Sequence, residues 1–147
     1  MSISFISETG PFIWILFFSS RKIDNFPSSN SISVIFFVES IDNFNIKKVG
    51  PAIENNKLFP KKCNVTIAEV INQNLIKVKV WERGAGQTKA CGTAACATAV
   101  AGNINGLTKT STDIEFELGK LSIFLDEKNI IYMEGPVSEI KEIDIKL

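Results

Sequence analysis

The sequence predicts an α+β domain in which an antiparallel sheet or half-barrel wraps around one central, buried helix. Short runs of alternating apolar and polar residues follow one another after residue 110, which is typical of antiparallel strands. The segment from Gly92 to about Asn103 reads GTAACATAVAGN and is small and apolar on nearly every face. A helix of that composition has no face to offer water, so we expect strands to surround it.

The first informative part of the chain is a buried strand followed by a helical stretch. Ser33 to Val38 is an apolar, β-branched and aromatic run, which predicts a buried strand. Ile41 to Glu54 carries mixed helical periodicity. Gly50 and Pro51 interrupt this stretch, and we expect them to end one short helix and to open another.

The remaining strands are predicted from alternation. Val65 to Val70 and Leu75 to Trp81 are strand-like runs joined by a short turn, which predicts a β-hairpin. A meander of further strands is predicted at Ile114–Leu118, Leu121–Leu125, Ile130–Met133 and Ile140–Leu147.

The chain changes character at about residue 30. Residues 1–30 are rich in Ser, Phe and Ile without clean periodicity, whereas residues 31–147 carry the predicted domain. The apolar run from Phe12 to Phe18 is far shorter than the roughly 20 residues that a membrane-spanning helix needs. No Lys or Arg precedes this run to begin a signal peptide. We therefore expect no membrane association.

The charge balance and the missing histidines exclude several function classes. The chain has 16 Lys and Arg against 16 Asp and Glu, without a basic cluster, which argues against a nucleic-acid partner. With no histidine, it cannot build a Ser/His/Asp triad, a Cys/His dyad or an HExxH zinc site by itself. Acid and base chemistry must come from Cys, Asp, Glu, Lys or Tyr132.

The three cysteines do not form a disulfide or metal pattern. Cys63, Cys91 and Cys96 are odd in number, show no CxxC spacing and have no histidine partners. A reducing cytoplasm fits this usage best. We expect Cys63 and Cys96 to be core residues.

Cys91 is the strongest candidate for chemistry, because it falls where the buried helix should begin. Unpaired N–H donors at a helix start bind carboxylates and stabilise thiolates, so we expect a lowered thiol pKa and a base near neutral pH. Glu82 and Arg83 supply complementary charges for the amino and carboxylate groups of an amino acid. The alternatives are that Cys91 is simply buried and that Glu82 and Arg83 form a solvated pair.

The run VWERGAGQTKACGTAACATAVAG, from Val80 to Gly102, resembles the signature of diaminopimelate epimerases, ERGAG-E-T-x-ACG-[TS] followed by a small-residue helix. The resemblance covers about residues 33 to 147. It is supported elsewhere by Gly50-Pro51, Ile53-Glu54-Asn55, Leu58-Phe59-Pro60, Asn64-Val65, Tyr132-Met133 and Gly135-Pro136.

This resemblance implies an enzyme with two similar domains, each presenting one cysteine at a helix start, that inverts a stereocentre without cofactor or metal. It implies that Cys91 is the catalytic cysteine of the second domain. Gly92 and Thr93 would give backbone donors to the substrate carboxylate, Glu82 and Arg83 would bind substrate, and Asn64 would hold the distal end of diaminopimelate.

Three departures from the family pattern stand beside these matches. No residue is carried over from the family's Gly-Asn-Pro-His string: in the gapless register Ser31 takes the place of the asparagine and Ser33 that of the histidine, and a one-residue shift would put Asn30 at the asparagine but still leave no histidine. Gln87 stands where the family usually has Glu. The family's N-terminal domain, with its own cysteine, is expected to be absent, and residues 1–30 are interpreted as a remnant of the interdomain connection.

The resulting expectation is a half-site for the interconversion of LL- and meso-2,6-diaminopimelate, a step of lysine and peptidoglycan precursor biosynthesis. The expected partners are the small-molecule substrate and either a second copy of the chain or a separately encoded N-terminal domain. One alternative is a truncated pseudo-enzyme that serves in binding or dimerisation. Another is a related cofactor-independent isomerase such as a proline-type racemase, against which the Asn64, Glu82 and Arg83 matches argue.

Overall fold

The computed structural model describes residues 18–19 and 32–137, which form one sheet of eight strands, two α-helices and one 3-10 turn at Ile41–Asn43. The helices are α1 (Ile46–Glu54) and α2 (Gly92–Ile104). The strands are β1 (Phe18–Ser19), β2 (Ile32–Val38), β3 (Cys63–Asn72), β4 (Leu75–Glu82), β5 (Gly86–Thr88), β6 (Ser111–Phe116), β7 (Gly119–Leu125) and β8 (Ile131–Glu134).

The α+β class is confirmed, but the sheet is mixed rather than wholly antiparallel. Its order is β1-β2-β3-β4-β6-β7-β8, with β5 paired to β4. The pairs β2 with β3 and β4 with β6 are parallel, and the other pairs are antiparallel. The reason is that α1 and α2 lie between those strands in the chain, and a helical crossover returns the chain to the end where the previous strand began.

The central helix is confirmed. Helix α2 packs against β2, β3, β6, β7 and β8, and eight of its thirteen residues are buried. Its small side chains allow a close approach: a Cβ on Gly102 would lie 2.7 Å from Thr108 Oγ1 and 3.1 Å from Ile76 Cδ1. The contact with Ile76 places the C-terminal end of α2 beside the beginning of β4.

The expected break at Gly50 and Pro51 is wrong, because α1 runs continuously through both residues. The proline ring disfavours a helical residue before it mainly by colliding with that residue's Cβ, and Gly50 has none. The missing Cβ also makes room for Trp81, whose ring atoms would overlap a side chain at position 50. Tertiary packing thus favours the continuous helix.

The two helices cover opposite faces of the sheet, and the alternation of the strands decides which residues meet each helix. Val34, Val65 and Ile67 belong to the core cluster that includes Ile46 of α1. The residues between them face α2, where Ile35 and Ala68 join the larger core cluster. Every second residue of β2, β3 and β4 therefore lies on the side of α2.

The β3–β4 hairpin is confirmed, with Val65 opposite Trp81 and a turn in which Asn72 Oδ1 accepts the Asn74 N–H at 2.8 Å. The strand predicted at 140–147 lies outside the described residues. So does the apolar run that begins at Phe12, except for Phe18 in β1. No helix within the described ranges has the length and apolar character needed to cross a membrane.

Candidate functional site

The start of α2 and the end of β4 meet at one end of the sheet. The distance along α2 from Gly102 back to Gly92 is about 15 Å, and the distance along β4 from Ile76 to Glu82 is about 20 Å. Because Gly102 lies beside Ile76 and Cys91 interacts with Glu82, the two elements run antiparallel and the first turn of α2 reaches the level of Glu82. This end of the sheet collects most of the residues that the sequence predicted for the site.

Three polar side chains form a row across β2, β3 and β4 on the side of α2. Ser33 is paired with Asn64, and the register that pairs Val65 with Trp81 continues to bring Asn64 beside Glu82. Ser33 is 3% exposed and Asn64 is 7% exposed. Polar groups are thus buried where the strands approach the start of the helix.

Cys91 is the N-cap residue of α2 and is 7% exposed. Its Sγ lies 3.3 Å from the Thr93 hydroxyl oxygen. Burial raises the pKa of the Cys91 thiol above its ordinary value of 9.0, while the Thr93 hydroxyl and the Ala94 backbone N–H favour the thiolate and offset part of that rise. The expectation of a lowered pKa was wrong in sign because the loss of hydration exceeds the stabilisation from the helix start.

Glu82 also raises the pKa of Cys91. Its carboxylate repels the thiolate and accepts a hydrogen bond from the thiol, so both effects keep the proton on sulfur. Glu82 therefore stabilises the protonated thiol of Cys91.

The start of α2 is bordered by β8 on its other side. A Cβ on Gly92 would lie 3.1 Å from both Sδ and Cε of Met133, so the Met133 side chain rests against this residue. Gly92 and Thr93 are the first two residues of the helix, whose N–H groups have no partner within the helix itself. The start of the helix therefore has the apolar Met133 side chain of β8 on one side.

Asn64 and Arg83 contact each other through the backbone. The Asn64 Oδ1 atom accepts the Arg83 backbone N–H at 2.8 Å, and among the described residues the amide NH2 group of Asn64 has no acceptor. The Arg83 guanidinium Nη1 donates to the Lys61 carbonyl at 3.0 Å. Its charge acts on Cys63, on the α1 side of the sheet. The structure thus gathers Cys91, Gly92, Thr93, Glu82 and Asn64, but turns the Arg83 side chain to the opposite face.

The other two cysteines do not face Cys91 across a common space. Cys63 is fully buried on the α1 side, where burial first and the Glu54 charge second raise its pKa to about 11. Cys96 is half-buried in α2, and burial first and the Cys91 charge second raise its pKa. Burial of Cys63 confirms the prediction of a core residue.

The sequence interpretation missed one buried carboxylate, that of Glu54, which contacts the residues on either side of Glu82 and Arg83. Glu54 is 4% exposed, accepts the Trp81 indole N–H at 2.7 Å and the Gly84 backbone N–H at 3.2 Å, and lies 3.5 Å from Lys62 Nζ. The indole hydrogen bond is the largest cause that lowers its pKa, burial opposes it, and Gly84 and Lys62 lower it further. The available signal was position, because Ile46, Gly50 and Glu54 share one helix face.

Neither a metal-binding cluster nor the open cleft near β4 and β6 adds a ligand site to the described residues. Within the described ranges, no three His, Cys, Asp or Glu side chains are grouped closely enough to hold a metal ion. An open cleft of about 250 Å³ is lined by Lys77, Lys79 and Glu115, among others. The two lysines already pair with Glu115 and Asp42, and the cleft lining includes none of the predicted site residues.

A family model described as diaminopimelate epimerase matches residues 33–140. Relatives named diaminopimelate epimerase are 69% identical over 114 residues (Pelagibacter ubique), 44% identical over 110 residues (Bartonella bacilliformis) and 40% identical over 114 residues (Acetivibrio thermocellus). These matches cover 78%, 74% and 77% of this chain, and 42%, 39% and 41% of the relatives. The chain thus spans about two fifths of the length of these relatives.

Solved structures with a similar fold are phenazine biosynthesis proteins of the PhzF family. The protein from Bacillus anthracis has a TM-score of 0.55 at 18% identity, over 82% of this chain and 39% of that protein. The protein from Enterococcus faecalis has a TM-score of 0.50 at 18% identity, over 67% of this chain and 35% of that protein. At these identities the likeness shows the fold alone.

Proposed function

The chain belongs to the diaminopimelate epimerase family, and from this premise we propose that it carries one half of a site that interconverts LL- and meso-2,6-diaminopimelate. The observation that carries the proposal is the position of Cys91 as the N-cap residue of α2, with its Sγ 3.3 Å from the Thr93 hydroxyl oxygen. The chain covers only 42% of its Pelagibacter relative, so the epimerase activity of a whole enzyme is proposed here for the chain together with a second half-site.

In the proposed reaction, the reactive form of Cys91 is the thiolate, which forms when the thiol loses its proton to solvent and which the Thr93 hydroxyl and the Ala94 backbone N–H favour. The thiolate then removes the proton from the α-carbon: the C–H bond breaks, an S–H bond forms, and the electron pair stays on the carbon beside the carboxylate. For the opposite stereoisomer the same thiol donates its proton to that carbon. The backbone N–H groups of Gly92 and Thr93 would hold the carboxylate and stabilise the charge that develops.

The proposed ligand contacts use groups that the fold leaves available. The free amide NH2 of Asn64 is a donor for a carboxylate at the distal end of the substrate. Arg83 would contribute its guanidinium only after it leaves the Lys61 carbonyl. We therefore expect Arg83 to change rotamer when diaminopimelate binds.

Inversion of a stereocentre requires an acid and a base on opposite faces of the carbon. Cys63 lies on the far side of the sheet and Cys96 lies deeper along the helix of Cys91, so neither faces the substrate from the other side. The proposal therefore assigns the second cysteine to a separate half-site, supplied by another part of a longer protein or by a separate chain. Three unpaired cysteines also support a cytoplasmic location.

A second candidate function is a binding or dimerisation module without catalysis. The raised pKa of Cys91 favours it, because a thiol that stays protonated cannot accept the α-proton. The two candidates differ in whether diaminopimelate exchanges its α-proton.

The test is NMR detection of α-proton exchange of diaminopimelate in deuterated water. We expect no inversion of LL- to meso-diaminopimelate by the purified chain, and both exchange and inversion when the N-terminal half of the Pelagibacter relative is added. Cys91→Ala should abolish both reactions of the mixture. Inversion by the purified chain alone, lost in Cys91→Ala, would contradict the half-site proposal, and binding without exchange in the mixture would favour the second candidate.

A further inference from the structure

The Glu54 carboxylate connects the end of α1 to the segment that carries Glu82 and Arg83. Its Oε2 atom accepts the Trp81 indole N–H at 2.7 Å, and its Oε1 atom accepts the Gly84 backbone N–H at 3.2 Å. Trp81 immediately precedes the pair and Gly84 immediately follows it. One buried carboxylate therefore holds both ends of a two-residue segment.

Two more contacts fix the same segment. Asn64 accepts the Arg83 backbone N–H at 2.8 Å, and the Ala85 N–H donates to the Glu82 carbonyl at 3.1 Å, which closes the turn between β4 and β5. Gly84 adopts a φ of +76°, a conformation that suits glycine. The direction in which Glu82 leaves the strand thus depends on contacts from α1, β3 and the turn itself.

We propose that Glu54 is a positioning residue for the candidate site, which through Trp81 and Gly84 fixes the turn that keeps Glu82 against Cys91. The inference rests on the proposed function only in one respect, namely that the position of Glu82 beside Cys91 serves the reaction of diaminopimelate. The contacts themselves hold whether or not the chain binds diaminopimelate.

The chemistry of position 54 requires a carboxylate rather than another acceptor. Its two oxygens face two donors on different elements, and each oxygen accepts one. Glutamine has a single acceptor oxygen, so its NH2 group would confront either the Trp81 indole N–H or the Gly84 N–H. A negative charge at the last residue of a helix is also unfavourable with respect to the helix dipole, so helix stability does not explain the choice.

The pH profile of Cys91 alkylation tests the proposal on the chain as it exists, without substrate. Iodoacetamide reacts with the thiolate, and tandem mass spectrometry, which fragments the chain between Cys91 and Cys96, identifies the modified cysteine. The charged group that acts on Cys91 is Glu82 on β4, and Cys91 in turn acts on Cys96 of α2. Glu54→Gln should release Glu82, shift the profile to lower pH and raise the Cys91 rate near about pH 7 on the order of threefold or more.

Glu69→Gln is the matched control. Glu69 also accepts one backbone N–H, from Ile41 at 3.0 Å, but it lies toward the other end of β3 from Asn64. This control should retain the wild-type profile. If Glu54→Gln retains a folded circular dichroism spectrum together with the wild-type profile, the positioning role is overturned.

Trp81→Phe provides a second variant in case Glu54→Gln does not fold, because phenylalanine keeps an aromatic ring but removes the N–H that donates to Glu54. We expect a shift of the same sign and smaller size, and an unshifted profile would count against the proposal. Failure of diaminopimelate exchange would leave this test unaffected, so the two proposals can fail separately.

Discussion

Glu82 and Cys91 meet where the end of β4 approaches the start of α2, and the carboxylate keeps the proton on the thiol. The contact joins residues from two elements of the same crossover, since β4 leads through β5 into α2. Its effect on the pKa of Cys91 opposes that of the Thr93 hydroxyl. Glu82 and Thr93 therefore change the pKa of Cys91 in opposite directions, and substitution of each residue can measure its effect separately.

Glu82→Gln should lower the pKa of Cys91. The substitution removes the negative charge that disfavours the thiolate and weakens the hydrogen bond that the thiol donates. The rate of Cys91 alkylation should therefore rise below the wild-type midpoint. Glu115→Gln, on β6, is the control with the same change of charge away from Cys91, and an equal shift in both variants would show that only net charge matters.

Thr93→Val should change the pKa of Cys91 in the opposite direction. Thr93 is exposed, so valine should leave the fold intact while removing the hydroxyl that lies 3.3 Å from Sγ. Without that hydroxyl the thiolate is less favoured, the pKa rises further, and alkylation slows at any fixed pH below the midpoint. Thr93→Ser keeps a hydroxyl and should restore the wild-type profile. If Cys91 alkylation were as slow in Thr93→Ser as in Thr93→Val, the effect would come from the shape of the Thr93 side chain and not from its hydroxyl.

The elements that the sequence predicted well are those whose signal is local. The small-residue run gives α2 from Gly92 to Ile104 because no amphipathic alternative exists for it, and alternation gives the β3–β4 hairpin because its two strands are adjacent in the chain. The parallel pairing of β4 with β6 carries no local signal. It depends on where the crossover through α2 returns the chain.

The candidate site also combines features that local sequence patterns indicate with features that depend on distant parts of the chain. Sequence motifs gave Cys91 and Glu82 as candidates, whose roles stay predictions, but the sign of the Cys91 pKa shift depends on burial by strands that are distant in sequence. The orientation of Arg83 depends on the Lys61 carbonyl, which no pattern around Arg83 indicates. The division of the chain at about residue 30, and the ligand roles of Asn64 and Arg83, stay predictions.

Gly50→Ala should destabilise the protein by about 1–3 kcal/mol, the usual cost of overpacking. A Cβ at this position would overlap the Trp81 ring, which is held from its other end by Glu54 and cannot move freely. Urea denaturation followed by circular dichroism measures the loss. Lys48→Ala, at an exposed position of the same helix, should change stability by less than about 0.5 kcal/mol. A similar small change in Gly50→Ala would show that α1 can shift to accommodate a methyl group.

Glu54 should make the free energy of unfolding depend on acid pH. Its pKa in the folded chain is lowered from the ordinary value of 4.5, first by the Trp81 hydrogen bond, so the folded state favours the charged carboxylate more than the unfolded state does. Its contribution is thus fully present above 4.5 and is lost as the pH falls through the lower, folded-state pKa. Urea titrations from neutral to acid pH should show the wild type losing more stability than Glu54→Gln. Parallel curves for the wild type and Glu54→Gln would mean that the carboxylate has the same proton affinity in both states, and hence that its contacts with Trp81 and Gly84 do not stabilise the charge.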